Sequence, residues 1–335
     1  MPIRLGDRNE TVRAWRAKMN AWFGGLYTRL LGPLPMDTNE YGQRAKSWQE
    51  EYERRTGQVV DGVVSDQDMR GLGIPVPSKV VIFTVAGTGA NWDVGYPFDL
   101  ARWQDQERVI LQPIGYPAAM FPMGPSVNQG IDELVNQMRI HLDAEPSRKF
   151  ILIGYSQGAL VTSKVLQRMQ GNGDLARYMD RCIAGVTFGN PAREHGKYVG
   201  TNNPGGQGLD PKCIANTPSW WYDYCTVGDI YGAGPGNDDH EAAEYMTSIF
   251  LAVQGHLLTG QDNLAQQVFE LFLNPFGEAP AVMKAIASGI GFFTSNPPTA
   301  PHIEYHVREC VPGVTYFDHA MDYVRRVLMA GDRIS

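Results

Sequence analysis

Zinc-ligand patterns, phosphate-binding loops and long apolar runs are all missing from this 335-residue chain. Its four cysteines, Cys182, Cys213, Cys225 and Cys310, form no C-x-x-C pair, and no H-E-x-x-H motif occurs. Neither a zinc knuckle nor a zinc-dependent protease is therefore expected, and no metal is called for. Four cysteines are too few for a disulfide scaffold at this size; a single bridge is allowed, with Cys213 and Cys225 the nearest pair. Charge is also sparse. Charged residues make up 19% of the chain, 29 basic against 36 acidic, for a net charge of −7. That balance argues against a nucleic-acid partner or an anionic membrane surface. The start, Met1-Pro-Ile-Arg-Leu-Gly-Asp-Arg8, has no apolar stretch of the signal-peptide type. The uncharged run from Ala285 to Ile303 is broken by Pro297-Pro298, so no transmembrane segment is expected. Synthesis in the cytosol follows, with any work outside left to lysis or a helper.

What is present suffices for a packed core: 43% of residues are hydrophobic, which excludes global disorder. The length allows two or three domains. Residues 1–75 carry helical periodicity. Asp7 and Glu10 fit a capping box, after which Val12, Trp15, Met19 and Trp22 recur on one face. A second helix carries Tyr41, Ala45, Trp48 and Tyr52 and stops near Gly57; Ser65 caps a short third helix ending at Leu72-Gly73. This predicts a small three-helix domain, followed by the linker Gly73-Ile-Pro-Val-Pro-Ser78.

From Lys79 the period changes. Val80–Val85, Phe150–Gly154, Ile183–Phe188 and Trp220–Cys225 are short apolar runs, and helical patterns at Val127–Leu142 and Gln157–Met169 alternate with them. Buried strands alternating with helices predict an α/β fold built on a doubly wound parallel sheet. Sites in such sheets lie at the carboxyl ends of the strands. Residues 76–335 are read as this domain, with a helical insert at about 240–296 where Tyr245, Ile249, Val253 and Leu257 keep helical spacing.

One motif carries chemistry. Gly154-Tyr155-Ser156-Gln157-Gly158 fits G-x-S-x-G between an apolar strand and a helix. A serine in a tight strand-to-helix turn needs neighbours without side-chain bulk, which the glycines supply. The chain order in such hydrolases is serine, acid, histidine. Asp229, 73 residues beyond Ser156 and after the fourth run, is the candidate acid; Asp223 lies within that run and is expected to point elsewhere. His141 and His195 precede the acid, and His240 and His256 fall in or before the insert. His302 is the favoured base, with His306, on a stretch that alternates like a short strand, and His319, at the start of the last helix, as alternatives. Two backbone amides are needed for an oxyanion hole: Gln157, next to the nucleophile, and Thr88, in the loop Gly87-Thr88-Gly89. That loop lacks the third glycine of a dinucleotide fingerprint and the lysine of a P-loop, so no nucleotide is expected, and the chemistry needs no cofactor.

Several stretches go further: Phe83–Gly89, Gln112–Val127, Gly154–Ala159, Phe188–Pro191, Gly228–Tyr231 and Pro301-His302. Together they resemble the mycobacteriophage lysin B family of cutinase-like esterases over about residues 80–305. The Gln112–Val127 stretch is the most family-specific; the glycine–serine box is shared with cutinases. The resemblance implies an α/β-hydrolase fold, a triad of Ser156, Asp229 and His302, and attack on the ester joining mycolic acids to arabinogalactan in the mycobacterial wall. It also implies synthesis in the host cytoplasm and action on the host envelope after release. Where the family often has histidine or arginine before the glycine–threonine loop, this chain has Ala86. Leu5-Gly-Asp7, Val12-Arg13, Trp48-Gln49 and Val60–Val64 resemble a peptidoglycan-binding module, which implies peptidoglycan as a second partner. The rival readings are a broad lipase or cutinase, a peptidoglycan hydrolase, which needs zinc ligands or a carboxylate pair, and a non-catalytic wall-binding protein.

Overall fold

The computed structural model describes residues 2–76, 78–119, 123–233 and 300–334. The expected helical insert, at about 240–296, lies outside them. The chain divides into two compact units, Met1–Ser78 and Lys79–Ser335.

The first unit contains α1 (Glu10–Leu31), α2 (Gln43–Thr56) and α3 (Asp66–Gly71). Asn9, not Asp7, caps α1: its side chain accepts the amide of Val12, while Asp7 turns back to the amide of Arg4. Helix α2 stops at Gly57, which takes the left-handed conformation that favours glycine. Ser65 and Asp68 close a capping box at α3. Val12, Trp15 and Met19 are fully buried, but Trp22 is 56% exposed. The buried face is continued instead by Tyr27 and the partly buried Phe23, because roughly 100° per residue carries Trp22 to the edge of the stripe. Two of its buried aromatic side chains also find polar partners: the Trp15 indole donates to Gln49 and the Tyr41 phenol to the Gly62 carbonyl.

The second unit is a five-stranded parallel sheet. Its strands are β1 (Val80–Val85), β2 (Val109–Pro113), β3 (Phe150–Tyr155), β4 (Cys182–Phe188) and β5 (Trp221–Tyr224), in the order β2-β1-β3-β4-β5. Its helices are α4 (Tyr96–Arg102), α5 (Met123–Asp143) and α6 (Gln157–Met169), with the single turns α7 (Ile230–Ala233) and α8 (Ala300–Ile303). A short hairpin, β6 (Glu309–Val311) and β7 (Val314–Thr315), leads into α9 (Tyr316–Ala330). Alternate residues of β1 feed opposite layers, as a strand's period of two requires. Val81, Phe83 and Val85 pack with α5 and α6 residues such as Leu134 and Val161. Val80 and Ile82 pack with Leu100 of α4 and Val324 of α9. Each large apolar side chain buried this way contributes about 1.5–3 kcal/mol.

The sheet has one strand more than the four apolar runs predict, and the stretch around His306 is not a strand. Strand β2 reads Val-Ile-Leu-Gln-Pro at the sheet edge and is largely half-buried, so it lacks the continuous apolar signature of the central strands. The residues around His306 form a turn after α8, closed by Val307 and Arg308 amides on the Glu304 carbonyl; strand pairing begins only at Glu309. All four cysteines are free thiols, so the allowed Cys213–Cys225 bridge is not formed. Among the described residues, no helix is long and apolar enough to cross a membrane.

Candidate active site

Strand order reverses between β1 and β3, and it is outside the carboxyl ends of strands at such a switch point that sites of parallel sheets lie. Ser156 stands there, immediately after β3, with φ +54° and ψ −118°. A non-glycine residue in this region is strained and persists only where its surroundings fix it. The Ser156 amide donates to the Phe188 carbonyl at 2.9 Å. The flanking glycines are required by contact: a Cβ on Gly158 would lie 2.1 Å from the Val85 carbonyl oxygen, and one on Gly154 would lie 2.6 Å from the Gly158 oxygen. Helix α6 therefore meets the sheet backbone to backbone directly under the serine.

His302 arrives on α8 from a point 146 residues further along the chain. Its Nε2 lies 2.9 Å from Ser156 Oγ, and its Nδ1 lies 3.0 and 2.9 Å from the two carboxylate oxygens of Asp229. An ionised carboxylate only accepts, so Nδ1 carries the proton and Nε2 is left to accept the serine hydroxyl. Asp229 is fully buried in the turn after β5. Its Oδ1 accepts the amide of Tyr231 at 3.0 Å, and its Oδ2 accepts the Tyr305 hydroxyl at 2.5 Å. Burial, reinforced by the charge of Asp229, holds the Tyr305 phenol well above its ordinary pKa, so it stays a donor. Gly189, at φ +56°, runs beside this pair. A Cβ there would come within 2.5 Å of His302 Cε1 and 2.8 Å of Asp229 Oδ2.

The histidine is framed as well as hydrogen-bonded. The Tyr155 ring stacks on it at 5.1 Å and the Tyr155 hydroxyl donates to the His302 carbonyl at 2.9 Å. Tyr231 lies 4.4 Å from the imidazole, tilted. The Thr226 hydroxyl donates to the Pro301 carbonyl. The structure thus brings together Ser156, His302 and Asp229. Thr88 and Gln157 are also adjacent, with the Gln157 side-chain amide 3.2 Å from the Thr88 hydroxyl. The two alternative bases lie elsewhere: His306 Nδ1 is 2.7 Å from the Tyr96 hydroxyl and His319 Nδ1 is 2.9 Å from that of Tyr224. Asp223 is buried against Thr187 and Asn190.

Residues 88–254 match the family model for cutinases, a span that includes Ser156 and Asp229 but ends before His302. The endolysin B of Mycobacterium phage L5 is 34% identical over 244 residues, 68% of this chain and 94% of that protein. The endolysin B of Mycobacterium phage D29 is 34% identical over 231 residues, 64% of this chain and 90% of its own. The chain belongs to the mycobacteriophage lysin B family. The crystal structure of lysin B from phage D29 superposes on it with a TM-score of 0.54 and 31% identity, covering 74% of this chain and all of that one. The fold is accordingly the cutinase-like α/β-hydrolase fold, and the coarse activity that of a cutinase-like esterase of phage lysis.

Sequence reasoning missed Tyr305, Tyr155 and Gly189 as parts of this lysin B site. Tyr155 and Gly189 sit inside stretches already singled out, where a non-glycine neighbour of the serine and a glycine at a strand end are the usable signals. Nothing in the sequence marks Tyr305: its contact with Asp229 depends on the turn that follows α8.

Proposed function

We propose that this lysin B hydrolyses the ester between mycolic acids and arabinogalactan. Ser156 attacks the ester carbonyl carbon while His302 Nε2 takes the hydroxyl proton. Asp229 fixes the imidazole with its proton on Nδ1 and stabilises the imidazolium that forms. The amides of Gln157 and Thr88 donate to the oxyanion of the tetrahedral intermediate. Collapse expels the sugar alcohol, which takes the proton from His302 and leaves a mycoloyl ester on Ser156. Water, deprotonated by the same histidine, then releases the free mycolic acid and regenerates the serine. The protein's own groups complete this cycle.

The observation that carries the reading is the unbroken hydrogen-bond chain from Ser156 through His302 to Asp229. The substrate class rests on membership of the lysin B family. The first unit is proposed to hold the enzyme on peptidoglycan, and the protein to be made in the host cytoplasm and to act on the envelope after release. Turnover of p-nitrophenyl butyrate, triglyceride and isolated mycolylarabinogalactan, each with the wild type and Ser156→Ala, tests the proposal. Ser156→Ala is expected to be inactive on all three while the wild type frees mycolic acids from the wall material. Wild-type activity in Ser156→Ala would sink the mechanism; esterase activity without mycolate release would sink the substrate.

A further inference from the structure

The stretch Gln112–Val127 has no part in the chemistry above, yet its residues Tyr116, Ala118, Ala119 and Ser126 are bonded to the oxyanion loop or to Gln157 beside it. At its centre is the Gln157 side chain, only 1% exposed. Its Oε1 accepts the Ser126 hydroxyl at 2.9 Å, and its Nε2 donates to the Ala119 carbonyl at 2.9 Å and to Thr88 Oγ1 at 3.2 Å. Ser126, itself buried, accepts the Ala119 amide at 2.9 Å, so Ala119, Ser126 and Gln157 close a ring. Two more bonds tie the same segments. The Gly89 amide donates to the Ala118 carbonyl at 2.8 Å and the Tyr116 hydroxyl to the Ala86 carbonyl at 2.7 Å. Ala118 is held at φ +48°, a conformation that a non-glycine residue keeps only when its neighbours impose it.

Each strand-end loop here is held by another. The loop after β1 carries Thr88, and the segment after β2 carries Tyr116, Ala118 and Ala119. Helix α5 supplies Ser126, and α6 begins at Gln157, the residue beside the nucleophile. The Gln157 amide group accepts one bond through its oxygen and donates one through each N–H, so both of its donors are engaged. An oxyanion hole needs donors fixed before the charge develops, and a loop such as Gly87-Thr88-Gly89, with a glycine at φ +73° on one side, is not stiff by itself.

We propose that the Gln157 side chain is a positioning residue for the oxyanion hole: it locks the Thr88 loop and the segment after β2 onto the nucleophile's helix. The residue supplies one oxyanion donor through its backbone and places the other through its side chain. This rests on the serine-esterase reading of Ser156. It also gives Tyr116, Ala118, Ala119 and Ser126 a physical role as the outer frame of the hole.

The test uses Gln157→Leu, which keeps the backbone amide and removes the three side-chain bonds. Thr88→Val and Ser126→Ala break the network from its other ends. In the full chain, kcat and KM on p-nitrophenyl butyrate are measured with the inhibition constant of a trifluoromethyl ketone, whose adduct places an oxyanion in the hole. For Gln157→Leu, kcat is expected to fall roughly 10- to 100-fold, less than or comparable to the loss of one donor, with KM within about twofold. The ketone is expected to weaken in proportion to kcat/KM, and the other two variants to lose less in the same pattern. A merely structural glutamine would lower the melting temperature and leave the ketone's affinity untouched, and that result overturns the proposal. Should Gln157→Leu fail to fold, wild-type kcat and ketone affinity in both Thr88→Val and Ser126→Ala overturn it equally. If Ser156→Ala is inactive while all three variants match the wild type, the esterase reading stands and the positioning role falls; activity in Ser156→Ala removes the reading itself.

Discussion

Replacing Gly189 by alanine tests how closely the acid and the base are held. Two costs arise at once. At φ +56° an alanine pays the left-handed penalty of about 1–2 kcal/mol. Its methyl would also lie 2.5 Å from His302 Cε1, 2.7 Å from Nδ1 and 2.8 Å from Asp229 Oδ2. Ordinary contacts of carbon with heavy atoms lie at about 3.5–4.0 Å, so the pair must retreat by roughly 1 Å. A displacement of that size costs on the order of 10²-fold in rate, and complete loss of the imidazole's orientation on the order of 10⁴-fold. We therefore expect kcat of Gly189→Ala to fall by about 10² to 10⁴, with KM little changed. Gly171→Ala is the control: φ is +55°, but no atom lies within 4 Å of the added methyl. It should lose comparable backbone stability and keep its activity. Steady-state kinetics on p-nitrophenyl butyrate, with urea unfolding of both variants, make the comparison. Wild-type kcat in Gly189→Ala, or an equal loss in Gly171→Ala, would refute the contact argument.

Tyr305→Phe keeps the buried ring and removes one donor from Asp229. A hydrogen bond to a charged group is worth roughly 1.5–3 kcal/mol, part of which the remaining donors recover, so kcat should fall about tenfold; unchanged kcat/KM would show that Tyr305 only fills space. The pKa of His319 is lowered by burial and, secondarily, by Arg326. The unfolded chain therefore takes up this proton first as pH falls. Its contribution to stability is complete above about pH 6.5, the ordinary histidine value, and is lost as the pH drops through the lower native value. Urea midpoints at pH 7.5 and 5.5 should differ less in His319→Asn than in the wild type; equal differences would exclude His319 as a source of acid sensitivity.

The three polar groups that meet at the strand ends were legible because each sits where the chain pattern changes: Ser156 in a glycine-flanked strand end, Asp229 after an apolar run, His302 in a proline-bounded return. The central strands were legible for the same reason, as uninterrupted apolar segments buried on both faces. Strand β2 was not, since a half-buried edge strand ending in proline reads like a loop. The α1 cap moved from Asp7 to Asn9 because both residue types cap helices and only the backbone path decides between them. Tyr305 was illegible because its importance is a tertiary contact across 76 residues, with no local pattern to record it.

The four free thiols have a consequence for where such a chain can work. Burial raises the thiol pKa of all four. Cys310 is pushed up to about 11 and Cys213 to about 12, while Cys182 and Cys225 are raised well above the usual thiol range. Thiolate is the form that oxidises and exchanges, and at neutral pH these groups hold almost none of it. The folded chain has no bridge to lose, so a reducing compartment removes nothing that holds it together. Burial, which keeps the thiols protonated, also slows their reaction with oxidants in aerated medium.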